Sequence, residues 1–280
     1  MMRIGSLNRR QVLRGLAACG AVVCSPGVAA VVDSKSGDDD YLDLFDGRTL
    51  SGWHTNRQRS VHGTGGRWSV EDGVLVGEQD PPGSGNGGVL VTDRKFADFE
   101  LLIEMKPDWG PDSGVFLRCA EDGSALQMYV DYHENGNVGH LAGEGRVRCP
   151  MKPFKIHGHF DDDQELINLT TSPDERAPDW GTEIYESSCD PQDWLAAWRV
   201  GEWNTARIRC VGADSKLTTW INGLQVCQFD AAKTGHKLFD REQVRRELGR
   251  EGAIGLQVHG GKAWPAGAKC RWRNIRIKPL

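Results

Sequence analysis

Five polar side chains sit at alternating positions inside otherwise apolar segments: Arg118, Gln127, Asp131, Gln257 and His259. In an extended strand alternate residues share a face. Gln127, Tyr129 and Asp131 therefore project together from Ala125–Tyr132, with His133 just beyond, while Leu126, Met128, Val130 and Tyr132 face the other way. Gln257 and His259 are two apart and also project together. An amide, a phenol, a guanidinium, a carboxylate and an imidazole can bind a polyhydroxylated ligand and move a proton on it. Tryptophans, Trp203 among them, can stack on sugar rings. The plainer reading is a solvated sheet face.

Other groupings suggest less. His157-Gly158-His159, followed by Asp161-Asp162-Asp163, puts two imidazoles on one side of a strand and makes His157 and His159 candidate metal ligands, or surface decoration. Glu100 and Glu104 share a strand face, as paired glycosidase carboxylates or a solvated face would. There is no Gly-x-Ser-x-Gly elbow. The glycine-rich stretch Gly83 to Gly88 lacks the lysine and following helix of a phosphate cradle and reads as a mobile turn. No Cys-x-x-Cys pair exists. Cys210 and Cys227 flank a hairpin, where they would be cross-strand neighbours or buried free thiols.

These residues must be placed by strands. Asp72-Gly73 and Asn222-Gly223 each separate two apolar runs, the strongest short hairpin signal. Phe99, Leu101, Ile103 and Met105 alternate along one long strand. Trp203–Val211, Lys216–Ile221 and Leu224–Phe229 read as a three-stranded meander, Ala253–Gly261 as a strand entering a glycine turn, and Arg271–Ile277 as the last strand. Phe239–Leu248 is the one helix predicted, capped by Asp240. From 143 to 201 prolines break the pattern, which reads as a long irregular loop insertion. About a dozen strands predict an all-β, two-sheet sandwich or jelly roll.

The totals agree. The 280 residues are 39% hydrophobic and 26% charged, with 35 glycines for turns and ten tryptophans. A net charge of −5 gives no basic footprint for nucleic acid, and no apolar run is long enough for a membrane span. Residues 1–30 carry Arg9-Arg10, a short apolar run and Val28-Ala29-Ala30, the layout of a twin-arginine-type export signal. Leu16-Ala17-Ala18-Cys19 offers lipidation as the rival. Residues 31–40 read as a flexible spacer before a domain at 41–280. Export places the protein in the periplasm or outside the cell.

The chain also resembles a known family. Leu44–Trp53, Ser113–Arg118, Gly201–Thr205, Trp220–Gly223, Ile254–Gly261 and Trp272–Ile277 are similar, in order, to the 3-keto-disaccharide hydrolase domain family. The resemblance implies a concanavalin-like lectin/glucanase jelly roll that cleaves 3-keto-glycosides. A C3 ketone acidifies C2–H; a base removes that proton, the enolate expels the glycosidic oxygen from C1, and water adds to the enone. His133 or His259 would be the base, with Asp131 orienting it or holding a divalent metal. Arg118 and Gln257 would meet the oxyanion or hydroxyls, and Gln127, Tyr129 and Trp203 would bind substrate. A sugar-oxidising partner enzyme would supply the ketone. Many members place a glutamate two residues before the strand glutamine; here that residue is Ala125. A non-catalytic carbohydrate-binding surface module and a conventional glycosidase are the alternatives.

Overall fold

The computed structural model describes residues 40–58, 62–147, 149–175, 184–236 and 239–280. Residues 1–39, where the sequence suggests an export signal or lipidation at Cys19 and then a spacer, and the side chain of Cys149 lie outside the described residues. Eighteen strands and two helices follow in order. They begin with β1 (Leu42–Asp43), β2 (Trp53–Thr55), β3 (Arg67–Glu71), β4 (Val74–Glu78), β5 (Gly88–Thr92) and β6 (Phe99–Pro107). Next come β7 (Gly114–Cys119), β8 (Ala125–Asp131), β9 (Asn137–Glu144), β10 (Cys149–Met151), β11 (Phe154–Phe160), β12 (Leu166–Pro173) and β13 (Ser187–Ser188). The chain ends with α1 (Pro191–Ala197), β14 (Asn204–Val211), β15 (Lys216–Ile221), β16 (Leu224–Asp230), α2 (Arg241–Leu248), β17 (Ala253–Val258) and β18 (Cys270–Pro279).

Two antiparallel sheets form the body. The nine-stranded sheet runs β13-β16-β15-β14-β6-β18-β4-β3, with β1 on β18; the seven-stranded sheet runs β10-β9-β8-β7-β17-β5-β2. Asp72-Gly73 and Asn222-Gly223 make the predicted hairpins, and Asp72, Gly73, Asn222 and Gly223 all adopt the positive φ such turns need. In β6 burial alternates as predicted, with Phe99, Leu101, Ile103 and Met105 inside. They meet Val115, Leu117, Leu126, Met128, Ile254 and Leu256 of the seven-stranded sheet in one continuous core. The predicted sandwich is the observed one.

The stretch 143–201 holds more structure than a loop. It contains the β11–β12 hairpin, β13 and α1, so the described residues hold two short helices where one was expected. α1 begins with Pro191 behind Asp190, whose carboxylate accepts from Gln192 N at 2.7 Å. The three aspartates are turn chemistry: Asp161 Oδ1 accepts from Asp163 N (3.1 Å) and Glu165 N (2.9 Å). His157 is taken by Glu134 and Ser172, and His159 by Thr170. Among the described residues the one cluster with metal-ligand spacing is Asp112, Asp131 and His133, and it includes neither His157 nor His159. Cys210 pairs with Leu217 and Cys227 with Thr219, so the two are not neighbours; both are buried free thiols.

Arg118 requires the largest correction. By alternation it should follow Phe116 onto the outer face of the seven-stranded sheet. Instead its φ is +49°, beside a register shift between Ala253 and Gly255, and the alternation breaks. The guanidinium, 1% exposed, donates to Ala97 O (2.9 Å), Gly212 O (2.9 Å), Ser215 Oγ (3.2 Å) and Asp98 Oδ1 (2.9 Å). It is a strut between the sheets. Arg118→Ala is predicted to lower the unfolding free energy by about 3 kcal/mol, since it strands two carbonyls and part-buried Asp98. A urea denaturation midpoint close to wild type would contradict this.

Candidate active site

β7, β8 and β17 lie side by side and are buried along their whole length, so both their faces are covered. One face enters the inter-sheet core. On the other, Val89, Val91, Phe116, Cys119, Ala125 and Ala253 form a second apolar cluster. Beyond it on the same face the side chains turn polar. Gln127 Nε2 donates to Glu144 Oε1 at 2.6 Å, and Glu144 Oε2 lies 3.0 Å from His62 Nε2. Gln257 reaches the same His62 nitrogen at 3.0 Å. A carboxylate only accepts, so His62 Nε2 carries the proton. Turning the Gln257 amide to present Oε1 then completes that contact and fills a bond its oxygen otherwise lacks.

A second group lies where β7 begins and β8 and β17 end. Single donor atoms of Asp112, Asp131 and His133 lie within 4.8 Å of one another. His133 Nε2 is 3.9 Å and His259 Nε2 3.8 Å from Asp112 Oδ2. His133 Nδ1 lies 2.8 Å from Glu134 O, and His259 Nδ1 2.5 Å from Gly260 O. A carbonyl only accepts, so each Nδ1 donates to it, and Nε2 is the ring nitrogen that faces Asp112. Asp131 Oδ1 and His133 Nε2 are buried with no hydrogen-bond partner. The His62 and His259 rings touch at a centroid separation of 4.4 Å and join the two groups.

The turn carrying His259 is fixed from behind. Gln79 Nε2 donates to His259 O (2.8 Å) and Gly261 O (2.9 Å), while its Oε1 accepts from Gly85 N (2.9 Å). Within the glycine-rich stretch 83–88, read as a mobile turn, Gly85 and Gly87 pack against this turn while Gly83, Ser84 and Asn86 are exposed. A Cβ on Gly87 would lie 2.2 Å from Val258 O, so only glycine fits there.

The structure thus gathers Gln127, Asp131, His133, Gln257 and His259, with Tyr129 on the same face of β8 as Gln127. It separates two predicted residues from them. Arg118 is the strut described above. Trp203 precedes β14 in the other sheet and lies under the Arg273 guanidinium at 4.1 Å. Glu100 and Glu104 also face away, held by Tyr41 and by Arg273 and Asn274. Sequence reasoning missed His62, Asp112 and Glu144. Asp112 adjoins the recognised Ser113–Arg118 segment. Glu144 lies directly opposite Ala125 in the β8–β9 register, so a carboxylate reaches Gln127 from the neighbouring strand.

Residues 40–278 match the family described as the 3-keto-alpha-glucoside-1,2-lyase-like domain. The chain belongs to that family. It is 26% identical over 264 residues to a 3-keto-disaccharide hydrolase of Bacteroides thetaiotaomicron, covering 86% of this chain and 79% of the relative. A Parabacteroides distasonis protein classed as a candidate glycosyl hydrolase has the same fold, with TM-score 0.50 and 21% identity over 86% of this chain and 99% of that one.

Burial, and then the neighbouring Asp112, push the Asp131 carboxyl well above the ordinary aspartate range. The folded state therefore holds this proton more tightly than the unfolded chain. Its stabilisation is complete below the unfolded value of about 3.9 and is lost as pH rises toward the raised one. In buffer with a chelator, Asp131→Asn is predicted to be more stable than wild type near neutrality, with the gap closing toward about pH 4. Urea melts across pH test this; a wild type more stable at neutral pH contradicts it.

Proposed function

We propose that this protein cleaves 3-keto-glycosides by proton abstraction at C2, elimination of the glycosidic oxygen and hydration. The observation that carries the reading is the convergence of acids and imidazoles: ligand atoms of Asp112, Asp131 and His133 lie within 4.8 Å of one another, and Nε2 of both His133 and His259 faces Asp112. Arg118 lies elsewhere, and the cation that acts on Asp131 is the Lys152 ammonium, whose effect is outweighed by burial and by Asp112. Acids and imidazoles so placed bind protons or a divalent cation, and each histidine already gives its other N–H to a carbonyl, as metal-bound histidines do. Asp112, Asp131 and His133 fit a divalent cation, which would draw charge from the C3 ketone oxygen.

His259 is the base of this proposal. It takes the C2 proton, the C–H electrons pass into the enolate, and their return forms C1=C2 while the C1–O bond breaks. The leaving oxygen takes a proton and departs as an alcohol. Water then adds at C1 and a proton returns to C2. Glu144, His62 and the amides of Gln127 and Gln257 hold the ring hydroxyls. The ketone must come from an enzyme that oxidises the C3 hydroxyl of a glycoside. The twin-arginine-type pattern of residues 1–30 supports a site of action in the periplasm or beyond.

Incubation with a 3-keto-glucoside and with its unoxidised parent tests the proposal. Cleavage of the keto sugar alone is expected, with a loss of about a hundredfold in His259→Ala. Binding without turnover would make the protein a carbohydrate-binding module, and cleavage of the parent a conventional glycosidase. Dialysis against a chelator should reduce turnover and a divalent cation restore it; indifference to both would leave the shared carboxylate proton to serve the enolate.

A further inference from the structure

We infer that Ser188 is a nucleophile that takes an acyl group from small neutral esters with good leaving groups, with His140 as its base. The site stands apart from the proposed cleavage. It opens on a different cavity, of about 530 Å³, that shares no residue with the group around Asp112. That volume lies within the range of about 300–1,000 Å³ typical of ligand pockets.

Two strands set three side chains in line. β9 carries Asn137 and His140, and β13, at the edge of the other sheet, carries Ser188. Within β9, Gly139 has a φ of +100°, beside a register shift between Met128 and Val130. Val138 and Leu141, three apart, therefore both enter the core, and His140 leaves the alternation and reaches across to β13. Asn137 Nδ2 donates to Phe154 O at 3.0 Å, which fixes the amide, and its Oδ1 lies 3.1 Å from His140 Nδ1. An amide oxygen only accepts, so Nδ1 carries a proton. Burial keeps the ring neutral, its pKa lowered to about 3. Nε2 therefore holds the lone pair and accepts from Ser188 Oγ at 2.9 Å. A hydroxyl, an imidazole and an orienting group within hydrogen-bond reach are the arrangement of an activated nucleophile. His140 is fully buried and Ser188 exposed, so the base acts on a ligand through that hydroxyl.

The cavity suits an uncharged acyl group. Phe154, Tyr185 and Pro191 give it apolar walls. Its two acids are committed, Glu186 to Lys216 and Lys233, and Asp190 to Gln192 N. Cys189 N donates to Val226 O, so Ser188, opposite Cys227, holds a position whose N–H points away from β16, off the sheet edge. That N–H is a donor for the oxyanion of an ester under attack. Ser188 Oγ bonds to the carbonyl carbon while its proton passes to His140 Nε2. The C–O bond to the leaving alcohol then breaks, and that oxygen takes the proton from His140. Water attacks the acyl-serine by the same route, releases the carboxylic acid and returns the proton to Ser188. Charging a buried imidazole is costly, which confines the reaction to esters with good leaving groups.

The test uses p-nitrophenyl acetate and no keto sugar, so its outcome is independent of the cleavage reading. Intact-mass analysis should show one added acetyl group, mapped by peptide digestion to Ser188, with a burst of about one nitrophenol per chain. Ser188→Ala, at an exposed position, should unfold at the wild-type temperature and lose both adduct and burst. Asn137→Asp puts a carboxylate where the imidazolium forms and should raise the acylation rate about tenfold; if that variant does not fold, Ser188→Ala decides the matter. Four results overturn the inference: no adduct on wild type, an adduct that maps to Cys189 or to lysines, an unchanged adduct in Ser188→Ala, or a folded Asn137→Asp that reacts no faster than wild type.

Discussion

The crowding of two carboxylates is the constraint on which the site depends. Asp112 and Asp131 meet beside the imidazoles of His133 and His259, and Asp131 is 5% exposed. Burial first, and then the neighbouring Asp112, make the Asp131 carboxyl cling to its proton. Folding tolerates that cost because the two sheets share a large apolar core that does not depend on the site. The expense makes sense if a cation, a proton or a polarised substrate oxygen fills the point where these groups meet.

The supports around the site follow from that demand. Gln127, Asp131 and Gln257 sit on β8 and β17, Asp112, His133 and His259 one or two residues beyond strand ends, and Glu144 at the end of β9; His62 comes from the connection between β2 and β3. The Gln79 amide fastens the turn behind His259 with three hydrogen bonds. Gly114 has no side chain, and a Cβ there would lie 1.8 Å from Gln127 Oε1, so the amide can cross the neighbouring strand. Arg118 does comparable work at the far end of β7, where it braces the two sheets through four hydrogen bonds.

Much of this was legible in the residues. Period-two burial in β6 and the Asp-Gly and Asn-Gly turns carried the architecture, because both are local signals. Gln127, Asp131, Gln257 and His259 were found by alternation alone, since their strands keep it. Arg118 was misplaced because a left-handed φ is invisible in a run that reads Phe-Leu-Arg. Trp203 was misplaced because sheet membership is a long-range fact. Glu144 became visible only once the β8–β9 register set it opposite Ala125. In the 143–201 stretch, prolines drew attention away from the alternation of Phe154, Ile156 and Phe160 that builds β11.

Elimination followed by hydration differs from direct hydrolysis in one atom. In the first, the C2 hydrogen leaves the sugar and is replaced from solvent; in the second, it never moves. The decisive measurement is therefore cleavage of a 3-keto-disaccharide in D2O, with the keto-sugar product quenched early and analysed by mass and proton NMR. One deuterium at C2, absent from unreacted substrate and from an enzyme-free control, is the predicted result. A product that keeps its original C2 hydrogen would contradict the account.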